Sequence, residues 1–293
     1  MHKVGNVIET IQERIQHIRK KGTTVNSGSE EEYECRKCKD TGYIVNGWIA
    51  KECSCLERKR LVRRMKNAMI PDEFKNARFD SFRVDNDKQR KMLNEIKRYL
   101  SRFEDIKDTS TNSFGFIAVF GEKRLKEMRD PQKRAEMKKR HNNFGVGKTH
   151  LQIAAAKVLI KRGYNVLCVS DVTFMEDLGQ SQYLKDEGEQ FDNLLSVISS
   201  ADVVVWDDIG KARTNETRKD WYYRIINNRY RERKPIIYSS NEDKETLSEK
   251  IGDAAASRLF GMSQGEDGMD FLFEVEGPDY RLTGGDNHVR NVQ

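Results

Sequence analysis

Val4, Val7, Ile8, Ile11, Ile15 and Ile18 recur at steps of three and four, which predicts an amphipathic helix over residues 4–20. Arg19-Lys20-Lys21 near its end complements the helix dipole. A stripe this regular either packs on its own domain or docks on a partner helix. After a polar connector at 22–32, helical periodicity returns over 56–69, stops at Ile70-Pro71, and resumes over 88–103. Phe74, Phe79 and Phe82 punctuate the stretch between, where they are expected to seat a linker on the next domain. From Phe114 onward, short apolar runs alternate with helical periods. Strands are expected at 114–122, 165–170, 202–206, 235–240 and 271–275, with helices over 149–162, 171–199, 216–231 and 244–259. Strand-helix alternation of this length predicts an α/β fold with a doubly wound parallel sheet, whose ligands gather at the carboxyl ends of the strands.

The chain has 293 residues, 34% charged and 37% hydrophobic, enough for one large domain and a small one. No apolar run approaches the ~18 residues of a membrane span, and no apolar segment follows Met1-His2-Lys3-Val4-Gly5-Asn6, so the expected compartment is the cytoplasm, with no membrane partner. In that setting cysteines point to metal or free thiols before disulfides. Cys35-Arg36-Lys37-Cys38 and Cys53-Ser54-Cys55 lie within 21 positions, joined by a stretch that reads as a hairpin, and four thiolates so paired suit one tetrahedral Zn²⁺. Free surface thiols or a redox pair are the alternative. Cys168, in an apolar run, reads as core. The basic residues of 56–69 are a solvated face or a contact for phosphates or an acidic partner.

The stretch with the most chemistry is Phe144-Gly145-Val146-Gly147-Lys148-Thr149-His150. Gly147, Lys148 and Thr149 fit the end of the phosphate-binding pattern G-x-x-x-x-G-K-[ST], in which backbone N–H groups cradle phosphates, Lys reaches the β/γ oxygens and the hydroxyl holds Mg²⁺. The first glycine is missing, because Asn142 stands there. Gly121, at the end of the strand that starts at Phe114, restores the pattern if residues 123–143 loop out. This 21-residue insert carries nine Lys/Arg and three Asp/Glu. Its net +6 equals that of the whole chain, so the remainder is neutral and the basic character belongs to the insert, not to the fold. It has few large apolar residues and cannot bury a core of its own. It reads as a solvated, partly helical excursion, as the relic of a mobile element, or as a regulatory loop.

Val203-Val204-Val205-Trp206-Asp207-Asp208 is an apolar strand ending in two acids, the Walker B pattern. Asp207 is expected to hold Mg²⁺, and Asp208 to orient or polarise the attacking water. Asn241, after the next strand, is a candidate sensor of the γ-phosphate, or else a turn or cap residue. Arg258 on the following helix is either an arginine finger reaching a neighbouring subunit or a surface ion-pair residue.

In this order the motifs resemble those of AAA+ ATPases. Gly145-Val146-Gly147-Lys148-Thr149-His150-Leu151, Trp206-Asp207-Asp208-Ile209-Gly210, Asn228-Arg229-Tyr230 and Gly277-Pro278-Asp279-Tyr280-Arg281 are similar to bacterial and phage replicative helicase loaders of the DnaC/DnaI type, which share an IstB-like core. Cys35-Arg36-Lys37-Cys38-Lys39-Asp40-Thr41-Gly42 and Ile70-Pro71 resemble the DnaI branch. The resemblance covers about residues 33–122 and 144–282. It implies an AAA+ P-loop NTPase preceded by a small helical zinc-binding domain: 1–70 for helicase interaction, 71–113 as linker and leading helix, 114–282 as the ATPase with its insert at 123–143, and 283–293 as a tail. It also implies binding of the hexameric replicative helicase, single-stranded DNA and ATP, self-association through the ATPase domain, and delivery of the ring to the strand. Gly121, Gly145, Gly147, Lys148, Thr149, Asp207, Asp208, Asn241 and Arg258 take the family roles. Asp208 stands where AAA+ enzymes generally have Glu; one methylene shorter, it suits slow, switch-like hydrolysis. A transposition helper ATPase of the IstB type and a non-hydrolysing helicase-binding adaptor are the competing expectations.

Overall fold

The computed structural model describes residues 33–46, 49–183, 188–265 and 270–277. The helix expected over 4–20, the motif residues 278–281 and the tail lie outside them. Two compact units divide between Lys66 and Asn67.

In the first unit, β1 (Tyr43–Asn46) and β2 (Ile49–Glu52) pair antiparallel, with Tyr43 opposite Glu52 and Asn46 opposite Ile49. The helix α1 (Cys55–Asn67) follows. Every residue of both strands is exposed, so the hairpin has no apolar core. Two strands alone are marginal in water, and something else must fix them.

The second unit begins with a 3-10 turn at Asp72–Phe74 and the helix α2 (Asp87–Ile106). Asn86 caps α2 by accepting from the Gln89 N–H, and Met92, Ile96, Tyr99, Phe103 and Ile106 form its buried stripe at helical spacing. Then follow β3 (Phe114–Ala118), α3 (Glu122–Glu127), α4 (Pro131–Arg140), α5 (Lys148–Lys161), β4 (Val166–Ser170), α6 (Asp171–Ser181), α7 (Glu189–Ser200), β5 (Val203–Asp207), α8 (Glu216–Arg231), β6 (Ile236–Ser239), α9 (Lys244–Ile251), α10 (Asp253–Gly261) and β7 (Leu272–Val275).

The five strands β3–β7 form one parallel sheet in the order β4-β5-β6-β3-β7. The apolar runs of β3, β5 and β6 are buried on both faces, as a helix-covered parallel sheet requires, while the edge strand β7 is partly exposed. Tyr99 packs with Phe103, Phe114 and Phe271 at centroid distances of 5.3–5.8 Å, fastening α2 to the sheet. The order matters for chemistry: β6 lies between the phosphate-loop strand β3 and the acid-bearing strand β5.

Two expected helices differ from the observed ones. The single helix over 244–259 is two, broken where Gly252 takes φ 90°. The helical region over 171–199 is also two, and α7 starts after Gly188 at φ 84°. Apolar spacing runs through the second break, at Leu247, Ile251, Ala255 and Leu259, where only the glycine signals it, whereas the first falls in the polar run Lys185-Asp186-Glu187-Gly188-Glu189-Gln190.

The insert is helical. α3 begins directly after β3, Pro131 takes the first position of α4, and Asp130 caps α4 by accepting from the N–H groups of Gln132 and Lys133. The two ends of the excursion meet: the Asn143 side chain donates to the carbonyls of Phe120 at 3.0 Å and Asn241 at 3.2 Å. Asn142 and Gly277 exchange two further bonds, and His141 stacks on Phe120 while bonding Glu276 at 2.7 Å. The 21 residues therefore leave and rejoin the sheet at one place.

Candidate nucleotide site and cysteine cluster

Helix α5 starts from a loop in which Gly145 and Gly147 take φ values of 63° and 99°. Left-handed residues alternating with Val146 turn successive backbone N–H groups toward one concavity, the form that binds phosphate, at the N-terminus of a 14-residue helix. Gly147 is also required sterically, since a Cβ there would stand 2.6 Å from the Phe82 ring. Phe82 is buried. Its linker is fixed by Lys157, whose ammonium donates to the carbonyls of Phe74, Lys75 and Ala77 at 2.6–2.9 Å, and by His150 on the Arg78 carbonyl at 2.9 Å. The linker aromatics thus seat on the sheet unit.

Lys148 is buried, and its ammonium donates to the Asn143 carbonyl at 2.9 Å and to Asn241 Oδ1 at 2.6 Å. The Asn241 Nδ2 donates in turn to Asp208 Oδ1 at 2.9 Å. Because β6 lies between β3 and β5, its end residue bridges the phosphate-loop lysine and the second acid. Thr149 Oγ1 lies 3.0 and 3.1 Å from the two Asp207 oxygens. Ser239 donates to Asp207 at 2.8 Å and accepts from the Asp208 N–H at 3.1 Å. Burial, reinforced by the neighbouring Asp208 charge, pushes the Asp207 carboxyl above its usual range. Hydroxyl plus carboxylate is an oxygen donor set suited to Mg²⁺, which keeps several of its waters, and a cation there would relieve the charge crowding. Asp208 adopts φ 55° and pairs with Lys211 at 2.8 Å.

Gly121 stands apart from this group. Its φ is −68°, its N–H goes to Asp243 at 2.8 Å, and a Cβ would fall 2.7 Å from Glu242 Oε2, so close approach is what demands glycine there. Arg258 is not brought to Lys148 or Asp207. It lies 4.9 Å over the Tyr223 ring and bonds Asn227 at 2.9 Å. Arg229, from the Asn228-Arg229-Tyr230 motif, is buried and donates to the carbonyls of Ile198, Ala201, Asp202 and Pro235, a role in holding the chain together. Ser239, Lys211 and Asp171 belong to no motif legible in the sequence. Asp171, fully buried, accepts from Trp206 Nε1, the Tyr222 hydroxyl and the Ala212 N–H at 2.8–2.9 Å, bracing the strand and loop that carry both acids.

In the first unit, the Sγ atoms of Cys35, Cys38, Cys53 and Cys55 all lie within 4.8 Å of one another. Cys35–Cys53 and Cys38–Cys55 are 3.7 and 3.4 Å apart. Tetrahedral zinc at about 2.3 Å from each sulfur requires separations of about 3.8 Å, so the four thiols fit it. The turn that aims them runs through left-handed Lys39, Asp40 and Gly42. Asp40 accepts from the N–H groups of Glu34 and Cys35 and is held by Lys59 at 2.6 Å, and the Gly42 N–H points at Cys38 Sγ.

The fold, with acids and an amide at neighbouring strand ends behind a phosphate loop, is that of the AAA+ class of P-loop NTPases. A family model described as IstB-like ATP binding protein matches residues 88–259, and the chain belongs to that family. It is 28% identical over 263 residues to the phage-like element PBSX protein XkdC of Bacillus subtilis (strain 168), covering 85% of each chain. It is 22% identical over 221 residues to the replicative helicase loader DnaC of Escherichia coli (strain K12), covering 75% of this chain and 77% of that one. Among solved structures, that of DnaI aligns with a TM-score of 0.51 at 21% identity, over 73% of this chain and 95% of that one. The DnaC helicase loader aligns with a TM-score of 0.51 at 19% identity, over 70% and 100%. At these identities the structural likeness speaks to the fold. Among the described residues no helix is long and apolar enough to cross a membrane.

Proposed function

We propose that the chain is an ATP-dependent loader that binds a hexameric replicative helicase and delivers it to single-stranded DNA. The observation that carries the reading is the continuous path from Lys148 through Asn241 to Asp208, beside Thr149 on Asp207. The backbone of Gly145 to Gly147 cradles the phosphates, and Lys148 leaves Asn143 and Asn241 to reach the β/γ oxygens. Thr149 and Asp207 would hold Mg²⁺, which would supply charge neutralisation at the phosphate oxygens. Asp208 polarises the attacking water, and Asn241, relieved of Lys148, donates from Nδ2 to the γ-phosphate or accepts from the water at Oδ1. Nucleotide state is thereby coupled to the arrangement of the strand ends. Held by Asn227 and Tyr223 of its own chain, Arg258 is available to a neighbouring subunit and not to Lys148.

Relatives named helicase loaders support the partner, as does the first unit: Tyr43, Ile44, Val45 and Ile49 are 42–69% exposed on one small hairpin, an apolar surface suited to a protein contact. Zinc held by Cys35, Cys38, Cys53 and Cys55 would fix that hairpin. The test is co-sedimentation of the full chain with a hexameric replicative helicase, with ATP, with ADP and without nucleotide. Binding that is strengthened or weakened by ATP supports the loader. Binding indifferent to nucleotide favours the non-hydrolysing adaptor, and no binding removes the helicase as partner.

A further inference from the structure

The nine cations of the insert divide into two sets. Those of α3 are paired: Lys123 with Glu249 and Glu127, Arg124 with Asp243 and Glu245, and Lys126 with Glu122. Most of these acids sit on α9 or just before it, so α3 is an ionic anchor. The other six are Arg129 and, on α4, Lys133, Arg134, Lys138, Lys139 and Arg140. Among the described residues none of the six has a carboxylate within 4.0 Å. Helix α4 buries none of its residues. Lys138, Lys139 and Arg140 lie in the last turn of α4 and complement its dipole, but like charges four apart cost a few tenths of a kcal/mol per pair, and Arg129, Lys133 and Arg134 have no such compensation.

Between α3, α4 and the start of the phosphate loop lies a cleft of about 460 Å³. It is lined by the apolar Leu125, Pro131, Ala135 and Phe144, by Glu122 paired with Lys126, and by Arg134 and Lys138, one helical turn apart, so that three cations face one carboxylate. The volume lies within the range of small-ligand sites, ~300–1,000 Å³.

We infer that this cleft is a binding site for single-stranded nucleic acid, with phosphates on Arg134 and Lys138 and an unstacked base on the apolar lining against Phe144. Charge selects a polyanion, and the apolar lining beside an aromatic ring selects one that presents flat faces. An acidic peptide lacks the second feature, and a duplex hides its bases in the stack. Phe144 opens the phosphate loop, and its carbonyl accepts from Asn142, so the strand would rest against the segment that senses nucleotide. The inference deepens the loader reading by naming where the strand is held, and it rests on that reading for the choice of DNA over RNA.

The test is fluorescence anisotropy of a labelled 15-nucleotide oligo-dT with the full chain, across 50–300 mM salt, using wild type, Arg134→Ala/Lys138→Ala, Phe144→Ala and a control of equal charge loss, Lys133→Ala/Lys139→Ala. Losing two phosphate contacts should flatten the log–log salt slope by about 1.4. Phe144→Ala should weaken binding about tenfold or more at fixed salt, and the control should move affinity less than Arg134→Ala/Lys138→Ala. An unchanged slope and affinity in the Arg134/Lys138 variant overturns the site. An equal effect of the control, or equal binding of a duplex of the same length, overturns the base-binding cleft. Loss of affinity for a fluorescent ATP analogue with DNA binding intact would instead assign the cleft to the nucleotide. Lys148→Ala, measured alongside, separates the two proposals: unchanged ATP-analogue binding in that variant defeats the nucleotide site and leaves the DNA titrations to decide the insert.

Discussion

The two candidate sites are assembled in opposite ways. The cysteine cluster draws all its groups from 21 consecutive positions and stands on a hairpin whose strands are wholly exposed. The nucleotide site draws Lys148, Asp207 and Asn241 from positions more than 90 residues apart at the extremes, and these meet only because a buried sheet places β6 between β3 and β5. A local site without a core would need a bound metal to hold it; a dispersed site depends on the packing behind it.

The largest expected effect follows from the first half of that contrast. Cys38→Ser should release zinc, measured by elemental analysis, and unfold the hairpin unit while ATP-analogue affinity is unchanged. A full zinc equivalent in the variant would defeat the four-thiolate assignment. The second half predicts sensitivity far from the phosphates. Asp171→Ala strands three buried donors and should cost about 2–4 kcal/mol in chemical denaturation of the sheet unit, with the zinc content unaffected. Burial lifts Asp171 from 3.8 to about 6. The folded chain thus holds this proton more tightly than the unfolded one. Its contribution is fully present below the unfolded value and is lost as pH rises through about 6. Asp171→Asn should remove that part of the stability–pH slope, and a slope identical to wild type would place the ionisation elsewhere. Asn86→Ala, which deletes the cap of α2, should cost about 1 kcal/mol in the same denaturation and nothing in either site. The smallest effect sharpens the chemistry: Lys211→Ala frees Asp208 from its ion pair and should change the ATPase kcat a few-fold with KM nearly constant. A change confined to KM would place Lys211 on the substrate instead.

The same contrast explains what could be read from sequence. The proximity of the four cysteines was legible because all of them fall within 21 positions in two close pairs. Gly147-Lys148-Thr149 and Asp207-Asp208 were legible because each motif is contiguous, and the insert was legible because the glycine expected at position 142 is an asparagine. That Gly121 faces Glu242 and Asp243 was not, since it depends on a loop from another strand. Ser239 and the bridging geometry of Asn241 depend on strand order, which alternation of strands and helices does not encode. Asp171 looks like an ordinary residue at the start of a helix; only the fold shows Trp206, Tyr222 and Ala212 converging on it. The break at Gly252 was masked by apolar spacing that continues through it, from Leu247 and Ile251 to Ala255 and Leu259.

The central claim is that the interrupted loop remains a nucleotide site, because Asn143 and its neighbours return the chain to the end of β3. Titration of a fluorescent ATP analogue with Mg²⁺ into the full chain and into Lys148→Ala tests it most directly. Saturable binding by the full chain that falls at least a hundredfold in Lys148→Ala is the predicted result. No binding by the full chain, or equal binding by both proteins, would contradict it.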